Sequence, residues 1–428
     1  MHQVDLLLMI FIKDVFSLFF ISCLNSSTIS LYPSHTCLNI CLYFDFVHFY
    51  GNWAKERMVE RTPLFRGLQS VDSTRGASSH FQNPFICLAA HDATEEVGDV
   101  YGMNLVYSGN FHAGAFVDSM EKVRMFTGIN PFDFQWMLNP GETFQTPECV
   151  MVYSDEGFGK MSHIYHEFIM ERICRGRFRD KERPILINNW EATYFDFDED
   201  KIAAIAEKAA QVGVELMVLD DGWFGKRNDD HTSLGDWFVN EEKLPKGLDS
   251  LVKRVNDLGM KFGLWFEPEM ISPVSELYKA HPDWCLHVEG RFRTEGRYQL
   301  VLDLSREDVC EYIIETLSKV LSSANIEYIK WDCNRHVEGA GSAYLGRNQS
   351  NFWVEYVQGL YSVYRRVREK YPDVIIQSCA SGGGRVDYGA LHYCNEVWTS
   401  DNSEAHTRAF IQYGTNLIYP TIVTGSHV

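Results

Sequence analysis

No two cysteines of this 428-residue sequence form a C-x-x-C pair, and the eleven present are an odd number at irregular spacing. Such usage reads as reduced thiols. A run of 18 uncharged apolar residues is also lacking, because Lys13 and Asp14 interrupt the stretch from Leu6 to Leu24. That excludes a membrane-spanning helix and argues against a membrane partner. Basic residues are scarce: 39 Lys and Arg stand against 58 Asp and Glu, a net charge of −19. The resulting field repels phosphate backbones and anionic lipid, so nucleic acid is not an expected partner. Charged residues make up 23% and hydrophobic residues 45%, which excludes the composition of a disordered chain. What is abundant is aromatic: 10 Trp, 21 Tyr and 28 Phe supply flat apolar platforms that suit a sugar or another neutral ligand. The length allows two or three domains, one of which can be a barrel of about 250 residues.

The chain divides into three textures. Residues 1–51 are hydrophobic, with few charges and neither helical nor strand periodicity, and read as an anomalous N-terminal segment. Residues 52–183 carry short β-type runs (FICLAAH, GMNLVYSGNF, HAGAFVDS, FDFQWML, FQTPECVMVYS) separated by turn signals, followed by a helical connector from Gly159 to Ile173. They are expected to form part of a β-sandwich. Residues 184–428 alternate buried β-runs with amphipathic helices. The runs are ILINNWEA, ELMVLDDGW, KFGLWFEPE, YQLVLDLS, YIKWDCN, VIIQSCASGG, EVWTSDN and NLIYPTIV. Ile202, Ile205, Ala209 and Val212 recur at helical spacing before Gly213, and Ser305 with Asp308 predicts a helix N-cap. Eight strand-then-helix units define an α/β fold, a (β/α)8 TIM barrel preceded by a partial β-sandwich, with its site at the carboxyl ends of the strands. Because the sequence ends at about the eighth strand, the last barrel helix is expected to be missing and the chain truncated at both ends. Ile418 and Ile422 are then expected to be exposed.

Acids gather at those strand ends: Asp220 and Asp221 with Trp223, Glu267 and Glu269 with Trp265, then Asp303, Asp332 and Asp401. The two-residue period of YIKWDCN turns Lys330 and Asp332 to one side, Ile329 and Trp331 to the other. An ammonium beside Asp332 favours the ionised carboxylate, suited to nucleophilic attack. Asp401, near Trp398 and far in sequence from Lys or Arg, has an aromatic setting that suits a proton donor. One ionised and one protonated carboxyl form the pair used in glycoside hydrolysis. A structural ion pair at Lys330–Asp332 and an N-cap role for Asp401 are the bland alternatives. Adjacent Asp220 and Asp221 converge on one ligand only if the strand ends there, as Gly222 suggests. Acids on successive strand ends also fit a metal-dependent lyase or isomerase, although Lys330 would place a cation among the ligands. Ser381 to Arg385 lacks the Gly-Lys-Ser/Thr of a phosphate loop and reads as close backbone approach to a ligand.

Together NNWEATYFDF, LDDGWFGKR, KFGLWFEPEM, QLVLDLSR, KWDCNRH and WTSDN, in this order, resemble the bacterial-type α-galactosidases (melibiases) of glycoside hydrolase family 36. Upstream, QSVDSTRGASSHFQNPF, YSGNF and FQTPE resemble the end of its N-terminal sandwich. The resemblance implies a retaining hydrolase of terminal α-1,6-galactosides such as melibiose and raffinose. Asp332 corresponds to its nucleophile and Asp401 to its acid/base. Asp220 and Asp221 match the carboxylates that hold the galactose 4- and 6-hydroxyls. Trp265, Arg297 and Lys330 match further sugar contacts, Cys379 and Gly382 those near the 2-hydroxyl, and Trp190 the entrance wall. No metal or cofactor is implied, full-length relatives are expected to be homotetramers, and a cytoplasmic location follows unless the N-terminal stretch is a secretory signal. A catalytically inactive galactoside-binding fragment is the alternative from another class.

Overall fold

The computed structural model describes the backbone of residues 7–12, 15–20, 26–31 and 43–425, and side chains from 43 to 425. It contains two compact units: Met1–Cys174 with Gly382–His392 and Val397–Val428, and Arg175–Ser381 with Tyr393–Glu396.

The first unit is built on two antiparallel sheets. Its strands are β1 (Leu7–Ile12), β2 (Val15–Phe20), β3 (Ser26–Leu31), β4 (Phe44–Tyr50), β5 (Met58–Pro63), β6 (Gly67–Asp72), β7 (Gln82–Ala90), β8 (Val100–Leu105), β9 (Phe111–Val117), β10 (Val123–Ile129) and β11 (Cys149–Ser154). One sheet runs β1-β2-β11-β8-β7-β4-β5 and the other β3-β10-β9-β6. In β7 the run from Asn83 to Ala89 is buried throughout, as a strand covered on both faces requires, whereas β6 alternates exposed and buried positions toward its end. The expected lack of strand patterning before residue 52 is therefore corrected. Phe44–Tyr50 is an interior strand, next to the edge strand β5, with Phe46, Val47 and Phe49 buried, and three more strands precede it. FDFQWML is no strand: Phe132, Met137 and Leu138 are exposed, and Trp136 packs on Phe144. The connector is helical as expected, over Gly157–Phe168 with a final wide turn at Ile169–Ile173.

The second unit carries parallel strands in the order β12 (Leu186–Asn188), β13 (Leu216–Leu219), β14 (Lys261–Phe266), β17 (Tyr328–Trp331) and β18 (Ile375–Ser378). Helix Glu199–Gln211 follows β12; Asp198 caps it by accepting from Lys201 N at 2.8 Å, and Ile202, Ala203, Ala206 and Ala209 are its buried stripe. Helix Leu248–Asp257 buries Leu248, Leu251, Val252 and Val255 in the same manner. Ser305 does not cap the next helix, Glu307–Leu321, because its hydroxyl bonds the Asp303 carboxylate instead.

The class of fold is the α/β barrel type with a β-sandwich ahead of it, but the described residues contain seven parallel strands, not eight. YQLVLDLS supplies only Leu300–Val301 (β16), antiparallel to Met270–Ile271 (β15). Leu302 N and Asp303 N donate to the Glu269 and Trp284 carbonyls, so this run pairs with the segment after β14 and leaves β17 beside β14. Two further parallel strands, β19 (Glu396–Trp398) and β20 (Thr424–Gly425), pair through Val397 and Trp398. NLIYPTIV lies ahead of β20 as the end of helix Ala405–Asn416 and a short 3-10 turn, since the amides of 417–419 bond back to Tyr413, Gly414 and Thr415. Ile418 is fully buried with Tyr388, Leu391 and Val397, and Ile422 packs beside this cluster, contrary to the exposure expected of both.

Candidate active site

At the carboxyl ends of β13, β14 and β17 the chain brings four of the predicted residues into one buried cluster. The register places Trp265 beside Lys330. Lys330 Nζ donates to Asp220 Oδ2 at 2.8 Å, and Asn188 donates to the same oxygen. Trp265 Nε1 reaches Asp332 Oδ2 at 3.0 Å, Asn334 Nδ2 reaches it at 2.9 Å, and the Cys333 amide supplies Asp332 Oδ1 at 2.8 Å. Burial pushes the Asp332 carboxyl up, but the Lys330 charge and these donors outweigh it, so the group is held below the usual carboxylate range. Lys330 in turn is raised, because Asp220 and Asp332 offset its burial. The strand parity holds: Trp331 points the other way, its ring against Tyr364 of helix Phe352–Lys370 at 4.7 Å.

Strand β13 ends at Leu219, and Gly222 has a φ of +107°, the backbone turn that lets two adjacent carboxyls share one region. Asp221 is locked by Arg227, which donates from Nε and Nη2 at 2.9 and 2.8 Å, a forked pair nearly sealed from solvent. Cys379 is buried at the end of β18, its amide on the Trp331 carbonyl at 2.8 Å and its thiol among the donors that lower the Asp332 carboxyl. Trp190 is half-buried, edge-on to Tyr194 and Phe195. Arg297 is exposed at the tip of a two-residue turn in which Gly296 and Gln299 exchange backbone bonds and both Arg297 and Tyr298 have positive φ.

The acids at the other strand ends serve structure. Glu269 accepts from Trp331 Nε1 and Tyr356 OH, both at 2.9 Å, and Asp303 is held by the Ser305 and Ser342 hydroxyls. Among the strand-end acids that also fit a metal site in sequence, Asp220, Glu267, Asp303 and Asp332, Glu267 lies next to the nucleophile candidate. Its Oε1 accepts from Gln299 Nε2 at 2.9 Å and from the Asn334 amide, and burial together with the Asp332 charge raises it to about 7.

Asp401 and Gly382 belong to the first unit and meet there. Gly382 has a φ of +81°, and a Cβ on it would stand 2.8 Å from Asp401 N. The aromatic setting expected for Asp401 is present, but the rings offer N–H edges: Trp398 Nε1 donates to Oδ1 and Trp53 Nε1 to Oδ2, each at 3.0 Å. Nor is the group remote from cations, since Arg408 interacts with it electrostatically. Helix Ala405–Asn416 is capped by Glu404, which accepts from the His406 and Thr407 amides, so Asp401 is not the cap. Trp53 escaped the sequence reading because no local pattern links it to a residue 348 positions on.

The melibiase family profile matches residues 143–428, and that of the glycosyl hydrolase family 36 N-terminal domain matches residues 29–139. Alpha-galactosidase AgaA of Geobacillus stearothermophilus is 59% identical over 386 residues, 90% of this chain and 53% of the relative. Alpha-galactosidase Mel36A of Lactobacillus acidophilus is 47% identical over the same shares. The chain thus spans about half the length of the curated relatives it matches. The crystal structure of AgaA superposes with a TM-score of 0.92 at 54% identity, covering 97% of this chain and 58% of that one. A variant of that enzyme has been crystallised with raffinose, likewise at a TM-score of 0.92, 53% identity and shares of 97% and 58%.

Proposed function

The chain belongs to the melibiase family of glycoside hydrolase family 36, and from that premise we propose that it is a retaining α-galactosidase of terminal α-1,6-linked galactose in oligosaccharides such as melibiose and raffinose. Asp332 attacks C1 of the galactosyl unit and breaks the bond to the leaving oxygen, which takes the Asp401 proton. The resulting β-galactosyl-enzyme is hydrolysed by water that Asp401 deprotonates, and the second inversion restores the α-anomer. Asp220 and Asp221 hold the 4- and 6-hydroxyls; Trp265, Arg297 and Lys330 make further sugar contacts. Cys379 and Gly382 flank the 2-hydroxyl, and Trp190 walls the entrance. In this reading strands β1 to β11 with the helical connector that follows them form the N-terminal sandwich region, and residues 184–428 the catalytic barrel. The protein acts in the cytoplasm, and its assembly is the tetramer of its full-length relatives.

The observation that carries the reading is the state of Asp332: a buried carboxylate kept ionised by Lys330 and by the Trp265 and Asn334 donors. A nucleophile must be unprotonated at neutral pH, and burial by itself works against that state. The raffinose complex of the AgaA variant supports the substrate class. The donor set disfavours a metal-dependent reaction, because Asp220 is neutralised by an ammonium and Asp221 by a guanidinium. Proton NMR of raffinose turnover tests the proposal. α-Galactose is the first product expected, and Asp332→Ala is expected to lose at least about a thousand-fold in kcat. β-Galactose appearing first, or tight binding without turnover by the full chain, overturns it.

A further inference from the structure

Asp401 is held from two directions. Trp398 comes from its own loop, whereas Trp53 lies in the turn between β4 and β5 of the sandwich. That turn is tied to the Asp401 loop at several more points. Asn402 Nδ2 donates to the Ala54 carbonyl at 2.8 Å. Glu56, fully buried, accepts from the Gly383 amide at 3.2 Å and from the Ser400 hydroxyl at 2.6 Å. Arg57, also buried, donates to the Gly383 and Thr399 carbonyls. Ala54 and Arg57 hold φ values of +64° and +53°, conformations that L-residues adopt at a cost and that persist where the surroundings over-determine them. The buried ends of the turn anchor it, while Trp53 itself is 62% exposed and directs its N–H at the carboxyl.

We propose that Trp53 is a positioning residue for Asp401: its indole N–H orients the carboxyl and stabilises its ionised form, so that the N-terminal sandwich sets the proton transfers of the reaction. The inference rests on the reading of Asp401 as the acid/base. An N–H donor on Oδ2 fixes the plane in which the carboxyl presents its proton, and hydrogen bonding to the charged form favours that form. Among the described residues of this unit, Glu56 and Arg57 of the turn lie near Asp401, as does Arg408 of helix Ala405–Asn416, which donates to the Ser400 and Asn402 carbonyls at 3.1 and 3.3 Å. Their partners do not include Trp53, so replacing the indole isolates its own contribution.

The test is Trp53→Phe in the full chain, with kcat/KM measured against pH for raffinose and for an aryl galactoside with an acidic phenol. Loss of the donor is expected to move the alkaline limb of the raffinose profile up by about one pH unit. The ratio of raffinose to aryl-galactoside kcat/KM is expected to fall about tenfold, because only raffinose needs the leaving oxygen protonated. Should this variant melt early, 3-benzothienylalanine at position 53 keeps the ring and removes only the N–H, with the same shifts expected. An unmoved limb and an unchanged ratio, with Asp401→Ala still selective against raffinose, overturn the role of Trp53 alone. Equal loss of both substrates in Asp401→Ala overturns the acid/base reading and this inference with it.

Discussion

Replacing Glu267 by Gln should make the protein more stable at pH 8 and change its stability by less than about 1 kcal/mol near pH 5. The carboxyl is about 1% exposed and sits beside the ionised Asp332, which together with burial raises it from 4.5 to about 7. In the unfolded chain it titrates at its ordinary value. Between the two values the folded state therefore binds more protons than the unfolded state, and stability falls as pH rises through that window. Below about 4.5 the group costs nothing, and above about 7 the full difference applies, on the order of 3 kcal/mol at about 1.4 kcal/mol per unit. Gln has no charge to lose. Its amide oxygen can keep the Gln299 and Asn334 bonds, since both reach the single atom Oε1. Reorganisation of the new NH2 group lowers the expected gain at pH 8 to about 1–3 kcal/mol. Guanidinium denaturation of both proteins at pH 5 and pH 8, followed by tryptophan fluorescence, measures it. A stability difference that is the same at both pH values, or a loss at pH 8, refutes the reasoning.

Gly382→Ala should reduce raffinose turnover by at least about a hundredfold with little change in the fold, because its Cβ would collide with the Asp401 backbone and a misplacement of about 1 Å suffices; steady-state kinetics and circular dichroism decide. Arg227→Met should cost about 3–5 kcal/mol by leaving Asp221 buried and unpaired. That loss should shrink as pH falls, since burial already raises Asp221 and a proton can neutralise it, which a denaturation series across pH reads. Ile418→Ala should cost about 2–5 kcal/mol in the same assay, whereas a change within about 0.5 kcal/mol would restore the expectation of an exposed residue.

The alternation in YIKWDCN was enough to put Lys330 and Asp332 on one face, and helical spacing was enough to bury Ile202, Ala209 and Leu251, because both periods are properties of the local backbone. The clustering of acids and tryptophans at strand ends, and the family motifs, likewise lay in consecutive residues. Local pattern could not distinguish the acids from one another. Asp332, Glu269 and Asp303 all end apolar runs, and only the donors that fold against them separate a poised carboxylate from two structural anchors. Nor could it exclude YQLVLDLS from the barrel, since strand propensity does not specify a partner and pairing with 269–271 was decided by the chain's path. The hold on Asp401 is the extreme case. Trp53 and Asp401 are joined by a hydrogen bond across 348 residues, and such a contact exists only once the sandwich turn and the loop after β19 are folded together.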